Sequence, residues 1–332
     1  MAKRMARPTP GRRLLLLLVL GAIVAAAAFF YVTSDWRGAG PAERPVVVTV
    51  AEGSTLSGAA KRLEEAGAIR SRTRFLQLAK VFGSDDPIRA GEYEVPARAS
   101  GAEILALLQS GKTKQRFVVV PEGTPSAIVH DKLMAEKLLT GSVPVPPEGS
   151  VLPDSYSFER GEPRAAVLTR MRKAMDKTLA ELWAKRKPTT VVKSPREALI
   201  LASIVEKETG VAAERRTVAA VYSNRLRQGM MLQADPTVIY PITQGRPLGR
   251  RIRRSELDAD NGYNTYARAG LPLGPIANPG RDSIAAVLDP ADSRALYFVA
   301  DGTGGHVFAE TLAQHNANVQ RWYALRRKRG EM

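Results

Sequence analysis

The most pronounced apolar run in the chain is Leu14 to Val32, LLLLLVLGAIVAAAAFFYV, 19 positions without a charge. As a helix it spans roughly 28 Å, close to the ~30 Å hydrocarbon core of a bilayer. Lys3, Arg4, Arg7, Arg12 and Arg13 precede it. By the positive-inside rule they keep residues 1–13 cytoplasmic and place everything after the run outside. A cleaved signal peptide is the rival reading, with the alanines at 25–28 as its cleavage site. Its apolar core is usually about 7–15 residues, and here the run continues through Phe29, Phe30, Tyr31 and Val32, so an uncleaved transmembrane helix over 14–32 is expected. Residues 33–45, with Gly38, Gly40, Pro41 and Pro45, read as a flexible linker.

Beyond the linker the pattern shortens. Val46–Val50 is β-branched and predicts a strand, turned by Glu52-Gly53. Leu56, Ala59, Ala60 and Leu63 share one helical face, which ends at Gly67. Ser71 is placed to cap a second helix, Glu92–Val95 reads as a returning strand, and Ser100 with Glu103 forms a capping box opening EILALLQSG. A small α+β domain over 46–115 follows, and Arg116–Val120 predicts the first strand of the next. VTVAEGST and VVVPEGTP echo each other as strand, Glu-Gly and hydroxyl residue, too briefly to be a repeat array.

In the remainder, Pro163 to Arg186 predicts a long helix with a solvated basic face. Ser194-Pro195-Arg196-Glu197 is a second capping box with proline at the first helical position. The helix it opens, EALILASIVEKET, has almost no polar face and stops at Gly210, so it is buried on most sides. Glu206 and Glu208 emerge from its last turn, about 200° apart. They are either solvated helix-end charges or, for Glu206, a carboxyl that burial and the helix C-terminus raise towards neutral pH, fit for acid–base work. Glu214 to Leu226 predicts an amphipathic helix. LQADPTVIY, YNTY, GLPLGPI, NPG and YFVADGTGGHVF then read as loops rich in hydroxyls, amides and aromatic rings, the groups a sugar-binding groove needs.

Composition changes this picture little. At 44% hydrophobic and 25% charged residues the chain can bury ordinary cores, and without cysteine it has no disulfides. Much of the net charge of +16 sits at the two ends, the second carrying Arg321, Arg326, Arg327, Lys328 and Arg329, and +7 remains in the body between them. A basic body suits nucleic acid, anionic lipid or an acidic polymer. No zinc spacing, phosphate loop or aromatic–basic motif supports nucleic acid, and His130, His306 and His315 show no metal-ligand spacing, so no metal or cofactor is expected.

Taken in order, IVEKET, NRL, LQADPTVIY, YNTY, GLPLGPI, NPG and YFVADGTGGHVF with His315-Asn316 closely resemble the endolytic murein transglycosylases of bacteria, the MltG or YceG-like family. Two departures stand out: Leu273 where the family usually has a second proline, and Val151 and Leu152 where it normally has aromatics. The resemblance implies an α+β chain: the N-terminal transmembrane helix, a LysM-like domain over 46–115 that holds glycan or acts as a spacer, a lysozyme-like lytic transglycosylase domain over 116–327, and a tail, 328–332. It implies that Glu206 is catalytic, first as acid and then as base. It further implies cleavage between N-acetylmuramic acid and N-acetylglucosamine within nascent, membrane-attached strands, leaving a 1,6-anhydro end and terminating or trimming elongation. Gln233, Asp235, Asn264, Tyr266 and Asn278 are the candidate substrate-binding residues. For Asp235 a plain turn, and for Asn264 a cap, is an equal reading. The implied location is the cytoplasmic (inner) membrane, single-pass, with the catalytic domain periplasmic. Peptidoglycan strands are the expected partner, and synthases or division proteins are further candidates. A non-catalytic peptidoglycan-binding scaffold is the alternative, separated by whether anhydro ends are made.

Overall fold

The computed structural model describes residues 10–331. Most of the basic tail expected over 1–13 lies outside the described residues. The chain divides into two compact units, 1–115 and 116–332.

The first unit begins with α1 (Pro10–Arg37), a helix long and apolar enough to cross a membrane. Then come β1 (Val46–Val50), α2 (Leu56–Glu65), α3 (Arg72–Phe82), β2 (Gly91–Val95) and α4 (Gly101–Ser110). The two strands pair antiparallel, Val48 opposite Tyr93. Alternation turns Val48, Val50, Tyr93 and Val95 inward, while Val47 points out. Ala59, Ala60 and Leu63 of α2, Phe75 and Leu78 of α3 and Ile104 and Leu108 of α4 close over them. The local signals act as read. Ser71 accepts from the Arg74 N–H, and Ser100 and Glu103 satisfy each other's free amides.

The expected linker differs. Helix α1 continues through residues 33–37, and Trp36 is 4% exposed inside the first unit's core, its ring 5.8 Å from that of Phe75. An indole buried that way removes enough apolar surface from water to hold the last helical turn. A flexible stretch could not keep it there.

The second unit comprises β3 (Arg116–Val119), α5 (Ser126–Ala135), β4 (Ser155–Phe158), α6 (Arg164–Ala184), α7 (Pro195–Glu208), α8 (Arg215–Arg227), α9 (Asp235–Thr243), α10 (Arg254–Leu257), α11 (Arg281–Leu288), the hairpin β5 (Tyr297–Ala300) and β6 (His306–Ala309), and α12 (Leu312–Lys328). Strands β3 and β4 pair antiparallel and pack on α5 and α6 through Val118, Val129, Phe158 and Met171. The second core is built round α7. Ser194 caps it, Pro195 opens it, and Ala198 and Ile200 to Val205 are all buried. Helices α6, α8, α9 and α11 pack against it.

Three local readings are corrected by packing. Val218 to Ser223 of α8 are all buried, so that helix is sandwiched and not amphipathic. Asp235 and Pro236 open α9; the proline lacks an N–H that the first turn would leave unpaired anyway. YFVA and HVFA pair as a hairpin, and His315 and Asn316 lie on α12.

Candidate active site

Glu206 leaves α7 in its last turn and its side chain is 6% exposed. Its Oε2 accepts the Gly280 N–H at 2.9 Å, from the residue that caps α11. Its Oε1 lies 3.9 Å from an Arg215 nitrogen. Arg215 also donates to Glu122 Oε2 at 2.9 Å and to Asp282 Oδ2 at 3.3 Å. Burial, followed by the charge of Glu206, raises the Glu122 carboxyl, and Arg215 opposes both.

The VVVPEG turn brings Glu122 here. Gly123 holds φ +71°, and a Cβ on it would lie 3.3 Å from Glu206 Cγ. Gly280 is confined likewise: a Cβ there would meet Glu122 Oε1 at 1.9 Å. The two glycines let the strand turn and the NPG loop close on the glutamate. The earlier echo of this turn, with Gly53 at φ +74°, opens α2.

Glu208, on another side of α7, meets a different set. Tyr222 donates a hydrogen bond to it, and Asp235 and Arg225 act on it through charge. Burial first, then the Asp235 charge, pushes its carboxyl up to about 7. Tyr266 donates its hydroxyl to Asp235 Oδ1 at 2.6 Å. Arg225 is held by the carbonyls of Leu232 and Leu296, reaches Gln233 Oε1 at 3.4 Å, and lies over the Tyr297 ring. Gln233, Asp235 and Tyr266 thus gather on the Glu208 side, and none of them is a hydrogen-bond or ion-pair partner of Glu206 among the described residues.

Asn264 and Asn278 are placed otherwise. Asn264 is buried; its amide nitrogen donates to the carbonyls of Glu256, Leu257 and Ala259, and its oxygen accepts the Tyr266 N–H. Asn278 is 0% exposed, accepting from the Val151 N–H and donating to Thr124, Ser126 and Glu148. Both hold loops together and leave no free amide atom for a ligand.

A third group was not anticipated. Glu214 accepts from the His306 backbone N–H and lies 2.7 Å from its Nδ1, and Thr209, the residue that ends α7, donates to the same carboxylate. Burial alone would push the Glu214 carboxyl up, but these hydrogen bonds hold it below its usual range. Arg215, Glu122 and Glu214 had no signal along the chain beyond their place beside recognised motifs. Arg215 approaches Glu206 from the start of the next helix, Glu214 meets His306 across 92 positions, and Glu122 meets Arg215 across 93. Among the described residues no group of three or more His, Asp or Glu side chains is arranged to hold a metal ion.

Of the two departures noted above, Leu273 has a local reason. Its N–H donates to the Gly262 carbonyl at 3.1 Å, a bond a proline could not make.

The profile of the YceG-like family matches residues 48–321. A Bacillus subtilis protein named endolytic murein transglycosylase is 27% identical over 316 residues, 86% of this chain and 86% of its own length. One of the same name from Streptococcus pneumoniae is 30% identical over 329 residues, 84% of this chain but 58% of its own length. The crystal structure of a YceG-like protein of Listeria monocytogenes aligns over 83% of this chain and 99% of that one, with a TM-score of 0.51 and 29% identity.

Proposed function

The chain belongs to the YceG-like family, and from that premise we propose that it is a membrane-anchored endolytic lytic transglycosylase of peptidoglycan. It cleaves the β-1,4 bond between N-acetylmuramic acid and N-acetylglucosamine. The observation that carries the reading is the setting of Glu206. It is the glutamate of IVEKET, sheltered in the last turn of a buried helix, with one oxygen held by the Gly280 N–H and Arg215 beside the other.

Glu206 gives its proton to the glycosidic oxygen as the C1–O bond breaks, and the N-acetylglucosamine hydroxyl leaves. An oxocarbenium-like centre forms at C1. The carboxylate then takes the proton of the muramic 6-hydroxyl, whose oxygen closes on C1 to give the 1,6-anhydro end. One carboxyl serves as acid and then as base, so no attacking water is used. Fixing Oε2 through a backbone N–H limits the rotamers open to Glu206, and Arg215 balances the charge it gains after the first transfer. Gln233, Asp235 and Tyr266 contact the sugar beside Glu208, while Asn264 and Asn278 keep the flanking loops in register.

In this reading residues 116–327 form a lysozyme-like catalytic domain and 46–115 a LysM-like one; the strand–helix–helix–strand order of the latter supports it. Helix α1 anchors the chain in the cytoplasmic membrane with residues 1–13 inside and the rest outside, where newly made strands are the substrate. Synthases or division proteins are the candidate partners.

The test is digestion of purified peptidoglycan by the full chain in detergent, beside Glu206→Gln, with products read by mass. Anhydro-muropeptides from the first only are expected. Reducing ends instead would mean that water attacks and would implicate Glu122, which shares Arg215 with Glu206. Neither product from a folded, glycan-binding protein would return the chain to the scaffold reading.

A further inference from the structure

The foot of α1 carries a feature that glycan cleavage does not use. A crevice of about 60 Å³ opens there, lined by the rings of Trp36 and Phe75 and by the polar side chains of Asp35, Arg70, Ser71 and Arg74. Water-sized room is roughly 10–15 Å³ on the same measure, so the space suits one small tetrahedral anion.

Its depth is set by the helix. The apolar run ends at Val32, and at 1.5 Å per residue Trp36 lies roughly 6 Å beyond it. The polar layer of a bilayer is roughly 5–8 Å thick on each side of the hydrocarbon. The crevice therefore lies among lipid headgroups when α1 spans the membrane, and this inference rests on that anchor reading. The crevice keeps its place on the helix, because α1 is clamped to the first unit. Trp36 is in its core, Arg74 pairs with Asp35 at 2.7 Å, and the Arg74 guanidinium lies 5.8 Å from the centre of the Tyr31 ring. A Cβ on Gly101 would come within 2.9 Å of the Trp36 ring, so α4 too is closed against the helix end.

The charge is suited to an anion. Asp35 offsets Arg74, but Arg70 is exposed, has no carboxylate partner among the described residues, and makes one long bond, 3.4 Å, to the Ala39 carbonyl. At headgroup depth the abundant anion is phosphate, and a guanidinium fork binds it through paired N–H donors. Phe29, Phe30 and Tyr31 are exposed on α1 just below, where acyl chains would lie. We propose that this crevice binds the headgroup phosphate of an anionic membrane phospholipid, Arg70 supplying the unpaired charge and Arg74 and Ser71 further donors.

The test uses the full chain in nanodiscs of phosphatidylcholine, with and without phosphatidylglycerol, and follows amide exchange in peptides covering 36–41 and 69–75. Phosphatidylglycerol is expected to slow exchange there about 10-fold, the effect of a ligand at roughly ten times its dissociation constant. Arg70→Gln is expected to lose the slowing while matching the parent in phosphatidylcholine, and Asp35→Asn, which frees Arg74, to retain it. Equal exchange in both discs, or slowing that survives Arg70→Gln, overturns the site. Slowing by inorganic phosphate in pure phosphatidylcholine discs overturns the lipid assignment in favour of a dissolved anion. A chain that does not co-elute with the discs overturns the anchor reading and this site together, whereas one that enters them without the effect overturns the site alone.

Discussion

Glu206 and Glu208 stand two residues apart on one helix and meet different neighbours. For Glu206 the expected result of Glu206→Gln is loss of turnover by roughly 10²–10⁴-fold with folding intact, read by anhydro-muropeptide formation and circular dichroism. Glu208 predicts a pH dependence of stability. Its carboxyl is near 4.5 when unfolded and about 7 when folded, so the folded state holds the extra proton between those values. Stability therefore falls as pH rises from about 4.5 through 7, by up to about 3 kcal/mol from this group. Glu208→Gln keeps an acceptor for Tyr222 and flattens that slope, so its melting temperature exceeds the parent's at pH 8 and not at pH 4. Asn264→Ala strands three backbone carbonyls and should cost about 1–3 kcal/mol in denaturant unfolding.

At the scale of elements, the position of Glu206 depends on two turns that glycine makes possible. Gly123→Ala adds a Cβ where φ is +71° and where Glu206 Cγ is 3.3 Å away. The strain is on the order of 1 kcal/mol. Because it presses on the glutamate, kcat should fall more than stability does, which steady-state kinetics beside a melting curve would separate. Helix α7 also shows how a polar group survives in a core. Ser203 donates to the Ile200 carbonyl and accepts the Ile276 N–H at 3.0 Å, joining the helix to the GLPLGPI loop. The capping box of α4, the Ser194 cap of α7 and the buried face of α7 were readable because a cap involves residues three apart and a buried face recurs every turn, although Glu197 turns to the Lys193 N–H and leaves the second expected box half made. Helix α9 and the β5–β6 hairpin were not. DPTVIY and the paired YFVA and HVFA are short, and packing against α7 or pairing across a turn decides their form.

At the scale of the molecule, the anchor and the first unit form one body through Trp36. Trp36→Ala should destabilise that unit by about 3–5 kcal/mol, seen as faster amide exchange over α3 and α4 while the second unit's exchange is unchanged. Restoration by Trp36→Phe, which keeps an aromatic ring against Phe75, would show that packing is the cause. The site round Glu206 is likewise assembled from distant chain. Glu122 comes before α5, Arg215 opens α8, and Gly280 caps α11.

The apolar run of α1, the small strand–helix unit and the caps of α4 and α7 were all legible along the chain, and the proposal for Glu206 starts from motifs read there. Each rests on residues a few positions apart, or on an ordered set of motifs. The third dimension decided what those motifs do. Asn278 bonds the Val151 N–H across 127 positions and Thr124 across 154, so an amide that reads as a ligand for sugar is a tie between loops. Tyr266 reaches Asp235 across 31 positions, and Trp36 ties the first part of the expected linker into the core of the first unit. Buried polar atoms must find partners wherever the fold supplies them, and a linear pattern carries no record of which distant group that will be.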